Sequence, residues 1–190
     1  NKIDAEAMIP DSIVPTTCGK KVEIRHTDAE GRLTLIDAVA MAAKEKPDEL
    51  LTMATLTGSA SNAVGLAIAL MGNDDALEQR VYEAAIRLGE PVQPLKVWEE
   101  DYDNIQSKLD AADIRNTNRG KGRGSQTAGA FVMSGAPEGM PMAHMDIAGA
   151  DMTADEKATG IGPKTLIQYV LTESNMVGCF NHVTLSQNIL

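Results

Sequence analysis

A chain of 190 residues, 43% hydrophobic and 23% charged, is long enough and apolar enough to bury a core, which argues against disorder. Its formal net charge of −10 argues against nucleic acid as a partner, because phosphate backbones are bound through clustered Lys and Arg. No apolar run approaches the roughly 18 residues of a membrane span and no basic-then-apolar signal segment opens the chain, so no membrane partner is expected. Cys18 and Cys179 form no C-x-x-C pair, so neither a disulfide framework nor a zinc ribbon is indicated and a reducing cytoplasm is the expected location. Aromatic residues are only 3% while Met contributes 10, so Ala, Val, Ile, Leu and thioethers must fill the core. Asn1 rather than Met stands first, as expected of a start that is processed or cut from something longer.

Residues 1–20, with Pro10, Pro15 and Gly19, read as an irregular connection. KVEIR, 21–25, alternates apolar and polar side chains like a strand, and LTLIDAVAMAAKEK, 33–46, is apolar nearly all round and reads as a buried helix stopped by Pro47. LLTMATL, 50–56, has the run expected of a central strand, and TGSASNAVG gives a turn with a short helix. LAIALMGN, 66–73, predicts a further strand, and DDALEQRVYEAAIRLGE, 74–90, a helix with acids where the macrodipole favours them. From Pro91 to about Gly124 the polar, glycine-rich sequence predicts long loops with short helical pieces, and WEEDYDNIQ, 98–106, a solvated acidic loop. SQTAGAFVMSG predicts a helix, MAHMDIAG a strand and GPKTLIQYVLTE a last helix. Strands that alternate with helices favour α/β layering; no internal repeat is present.

The chemistry concentrates in HTDAEGRL, 26–33. Two acids two residues apart raise each other's ionisation cost unless a cation compensates them. TDAE matches a capping box, in which Thr27 caps a helix and Glu30 reaches back to the Thr27 amide. If 28–32 stay extended instead, Asp28, Glu30 and Arg32 project to one side, an arrangement suited to hard divalent cations and an anionic group on the guanidinium. Local spacing leaves both open. RGKGRGS, 119–125, could wrap phosphate but reads more simply as a flexible loop, and GIGPKT, 160–165, lacks the glycine spacing of a phosphate loop and reads as the start of a helix. His144 and Asp146 share a strand face, where a structural pair outweighs a ligand pair; no role is assigned to His26 or His182.

Read together, HTDAEGRLTLIDA, ATLTGSASNAVG, AHMDIAG and KATGIGPKTLIQYV resemble, in order and across about residues 5–172, the C-terminal part of the catalytic domain of the cytosol aminopeptidases, the M17 leucyl aminopeptidase family. The resemblance implies a zinc-exopeptidase-like α/β fold, three-layer with a mixed β-sheet flanked by helices and present here incompletely, and a two-metal enzyme that releases N-terminal amino acids from peptides. It implies two divalent ions, zinc or manganese with magnesium as a third candidate. Glu30 would bridge both, Asp28 would bind one, and Arg32 would be the catalytic residue holding a bicarbonate that acts as general base. Thr55, Leu56 and Gly58 would line the substrate pocket through backbone groups, and the family's assembly is a homo-hexamer.

The sequence departs from the family pattern in two places. His26 stands where the family usually has Asn, and nothing in residues 1–25 resembles the family's upstream glycine-rich motif, which supplies a metal-binding lysine, two further aspartates and a catalytic lysine. Two carboxylates cannot fill the shells of two metals. The expectation is therefore a fragment of a larger aminopeptidase, inactive or nearly so alone. The competing readings are a non-enzymatic interaction or scaffold domain on an aminopeptidase-like fold, and a phosphate-binding module built on 119–125.

Overall fold

In the computed structural model, residues 5–120 and 122–174 are described. The elements run β1 (Ile13–Pro15), β2 (Lys21–Glu23), α1 (Gly31–Ala43), β3 (Leu50–Ala54), α2 (Gly58–Val64), β4 (Ile68–Gly72) and α3 (Asp75–Arg87). There follow β5 (Val92–Pro94), α4 (Glu99–Asn104), β6 (Ile114–Arg115), α5 (Gly124–Met133), β7 (Met142–Asp146) and α6 (Pro163–Glu173).

The larger sheet has the order β3-β7-β4-β5, with β3/β7 and β4/β5 parallel and β7/β4 antiparallel. Successive strand residues face opposite ways, and the packing follows that alternation. Ile68 and Leu70 of β4 and Ala143 and Met145 of β7 join Leu77, Val81 and Tyr169 beneath α3 and α6. Ala69 and Met71 pack against Ala60 of α2, and Met142 against Val39 of α1 and Val132 of α5, on the other face. The result is the expected α/β arrangement, a mixed sheet between two helical layers. Met71, Met133, Met142 and Met145 are buried and Phe131 is the largest fully buried side chain, in keeping with the scarcity of aromatics.

A smaller sheet, β1-β2-β6, abuts α1 and α5 through Val22, Ile24, Ile36, Ile114 and Phe131. It corrects the reading of residues 1–20 as irregular. Val14 lies opposite Val22 in an antiparallel pair, so a three-residue strand forms despite Pro15, which sits at the sheet's edge where a missing donor is tolerated.

Other expectations shift for local reasons. The helix placed at 33–46 runs Gly31–Ala43 and is not buried all round: Ile36, Val39 and Ala40 face the core while Met41 is 60% exposed. The strand read as central at 50–56 is β3, an edge strand among the described residues and half-buried along its length. Residues 91–124 hold β5, α4 and β6 rather than loops with helical pieces alone. The acidic 98–106 segment is not a solvated loop: it contains α4, with Asp101 completely buried and gripped by Arg123 through Nε at 2.8 Å and Nη2 at 2.6 Å. Composition hid this because the partner cation lies 22 residues away. No helix among the described residues is long and apolar enough to cross a membrane.

Candidate active site

β2, β3 and β7 deliver their carboxyl ends to one region, the position at which α/β sheets ordinarily offer a crevice. The chain leaving β2 turns at Thr27 and Asp28, with the Ala29 amide donating to the His26 carbonyl at 3.2 Å and the Asp28 amide to His26 Nδ1 at 3.1 Å. Glu30 already has helical dihedrals, φ −81° and ψ −35°, and precedes α1 without any side-chain cap. Neither local expectation for this stretch is met. Thr27 caps no helix, and 28–32 do not stay extended, because Gly31 and Arg32 belong to the first turn of α1. Asp28, Glu30 and Arg32 nevertheless border a common cavity of about 420 Å³ together with Thr55 and Leu56. A neighbouring cavity of about 280 Å³ is lined by His26, Asp28, Arg32, Leu56 and Gly58 among others. All six residues singled out from the sequence thus meet around two adjoining hollows, the two carboxylates exposed and Arg32 partly covered.

The acid turn is held from behind by a residue that the sequence did not flag. Asn116, one residue past β6 and fully buried, accepts from the Arg25 amide at 2.8 Å and the His26 amide at 3.4 Å, and donates to the His26 carbonyl at 2.7 Å and the Ala29 carbonyl at 3.3 Å.

The opposite wall is the segment Thr55–Gly58, anchored to β7. Asp146, the last residue of β7 and fully buried, accepts from the Leu56 amide at 3.0 Å, the Thr57 hydroxyl at 2.7 Å and the Ala148 amide at 3.2 Å. Thr57 in turn caps α2 by accepting from the Ala60 amide at 3.1 Å, and its hydroxyl lies 3.2 Å from that of Ser125. Gly124 is needed beside it, since a Cβ there would collide with the Ser59 side chain.

Arg32 links the two walls electrostatically. Burial lowers the pKa of its guanidinium, opposed by the charges of Asp146 and then Glu30, and its Nε is buried with no hydrogen-bond partner among the described residues. His144 faces the same layer. It does not bond Asp146, so the expected His–Asp pair does not form; Nδ1 meets the Thr52 hydroxyl at 2.9 Å and Nε2 is buried with no partner among the described residues. Burial pulls this imidazole down to about 4, with Asp146 opposing and Arg32 adding to the shift, so it is neutral at pH 7.

The remaining motifs are structural. In 119–125, Arg123 is engaged by Asp101, donates to the Lys96 carbonyl at 2.9 Å and stacks 3.9 Å over the Trp98 ring. GIGPKT is a helix start: the buried Glu90 carboxylate accepts from the Gly162 and Thr165 amides at the N-terminus of α6, with Pro163 in the first turn. His182 and Cys179 lie outside the described residues.

The molecule is an α/β domain whose strand ends present an acidic turn and a half-covered arginine to a common cavity. The comparisons place it: this chain belongs to the cytosol aminopeptidase family, whose catalytic-domain profile matches residues 1–167. It is 40% identical to a probable cytosol aminopeptidase of Synechococcus sp. (strain RCC307), over 89% of this chain and 34% of that protein. It is 38% identical to leucine aminopeptidase A1, chloroplastic, of Solanum lycopersicum, over 90% of this chain and 30% of the relative. A solved mutant of tomato leucine aminopeptidase superposes with a TM-score of 0.84 at 36% identity, over 90% of this chain and 34% of that one. The chain therefore spans about a third of the length of the relatives it matches.

Whether the residues present suit a pair of metal ions follows from the donor set. Among the described residues no three His, Cys, Asp or Glu side chains gather so as to hold a metal. Asp28 and Glu30 fit part of a hard-cation shell and not the whole of two.

Proposed function

We propose that this chain carries the C-terminal portion of a metalloaminopeptidase active site, one that releases N-terminal amino acids, leucine among them, from peptides. The observation that carries the reading is the convergence of Asp28, Glu30 and Arg32 with the Thr55–Gly58 backbone around adjoining cavities. In it, Asp28 and Glu30 ligate zinc, manganese or magnesium in company with groups from outside these 190 residues, and Arg32 holds a small anion such as bicarbonate. The backbone of Thr55, Leu56 and Gly58 orients the peptide, while Asp146 keeps that backbone in place. A cytoplasmic location and a homo-hexameric whole enzyme complete the proposal. The incomplete donor set also supports a second reading, an interaction domain without chemistry of its own.

Titration of the chain with Mn²⁺ separates the two. The enzymatic reading predicts a weak binding heat that disappears in Asp28→Ala and Glu30→Ala, together with negligible hydrolysis of leucyl-p-nitroanilide by the chain alone. Mn²⁺ binding indifferent to both substitutions would sink it in favour of the interaction domain.

A further inference from the structure

We infer that Asn116 is a positioning residue for the acidic turn: its side-chain amide extends the small sheet past the end of β2 and fixes the backbone from which Asp28 and Glu30 project. The role as a ligand mount rests on the metal-binding reading above; the clamp itself does not.

The geometry leaves the amide one orientation. Arg25 and His26 offer N–H groups, which can only donate, and His26 and Ala29 offer carbonyls, which can only accept, so Oδ1 must face the first pair and Nδ2 the second. Both Nδ2 protons and both Oδ1 lone pairs are then engaged. The backbone contributes as well. β6 pairs in parallel with β2 through Val22↔Ile114 and Glu23↔Arg115, and the Asn116 amide continues the ladder to the Glu23 carbonyl at 3.0 Å. Beyond Glu23 the strand has no further backbone neighbour on this side among the described residues, and the Asn116 side chain takes over the pairing.

This accounts for the failure of the capping box. A helix capped by Thr27 would direct the Ala29 carbonyl along its own axis, whereas Asn116 draws it sideways, holds the preceding His26 carbonyl as well, and postpones the helix to Gly31. Among the described residues the Asp28 side chain makes no hydrogen bond that would hold the turn; its amide donates to His26 Nδ1. The turn's shape is therefore imposed from Asn116. Alanine would leave two N–H groups and two carbonyls without these partners in a dry site.

Asn116→Ala in the full 190-residue chain, which removes all four bonds without changing the charge beside the acids, tests this. Amide hydrogen exchange should accelerate by roughly tenfold or more at Arg25, His26 and Asp28, while Thr52 and Met145 in the larger sheet keep their protection. Mn²⁺ affinity should fall by at least about fivefold. Unchanged exchange at 25–28 overturns the clamp. Faster exchange with undiminished Mn²⁺ affinity overturns the positioning role and leaves Asn116 a structural residue. Mn²⁺ binding that already ignores Asp28→Ala in the parent refutes the metal reading instead, and the exchange measurement then decides the clamp by itself. Should the alanine variant not fold, Asn116→Ser, which keeps a shorter donor and acceptor, is expected to show the same exchange pattern in weaker form.

Discussion

The two walls of the site are held in chemically opposite ways. On one side exposed carboxylates ride on a turn fixed by a neutral amide, Asn116; on the other, a neutral backbone is fixed by a buried carboxylate, Asp146. The difference follows from electrostatics. A charged clamp behind Asp28 and Glu30 would put a third negative charge beside two that already repel each other, whereas the amide adds none. Behind the Leu56–Thr57 wall the groups to be held are donors, and a carboxylate binds donors more strongly than a neutral acceptor does. The same carboxylate compensates Arg32, the cation between the walls.

The largest effect should come from removing the charged clamp. Asp146→Ala strips acceptors from the Leu56 and Ala148 amides and the Thr57 hydroxyl and deprives Arg32 of its foremost compensating charge. A loss of about 4 kcal/mol is expected by urea unfolding; a loss below about 1 kcal/mol would mean that this wall stands without it.

The next concerns His144, neutral because it is buried beside Arg32. Its folded pKa of about 4 lies below the ordinary 6.5, so between those values the unfolded chain takes up a proton that the folded chain refuses. The contribution is complete above pH 6.5 and is lost as the pH falls toward 4, by about 3 kcal/mol in all. The difference between parent and His144→Asn stability curves isolates it, since carboxylates titrate in both; parallel curves across that window would contradict the assignment.

Smaller still is Gly124→Ala. Its new methyl group would press on Ser59 at the start of α2 and so on the backbone wall, at a cost of about 1–2 kcal/mol in thermal unfolding. No change would show that this wall yields more readily than the acid turn does.

The larger sheet was legible from apolar runs, because β4 and β7 are buried on both faces and every residue carries the signal. That Asp28, Glu30 and Arg32 belong together was legible too, through the signature-like octapeptide, and they border one cavity. What escaped was whatever depends on a distant partner. Asn116 sits in a polar stretch whose meaning comes from a strand about 90 residues earlier, and Asp101 looked like one more surface acid until Arg123 covered it. The capping box at 27–30 was a sound local inference defeated by a nonlocal competitor: four hydrogen bonds from one buried amide outweigh the one or two a local cap supplies.

The most direct measurement is to map where Mn²⁺ settles on the folded chain by paramagnetic broadening of amide resonances. Broadening should centre on 28–32 and reach 55–58 across the cavity, and it should vanish in the Asp28→Asn, Glu30→Gln double variant. Broadening spread over the acidic surface at large, or centred at 28–32 but unaltered in that variant, would contradict the assignment of these two carboxylates as metal ligands.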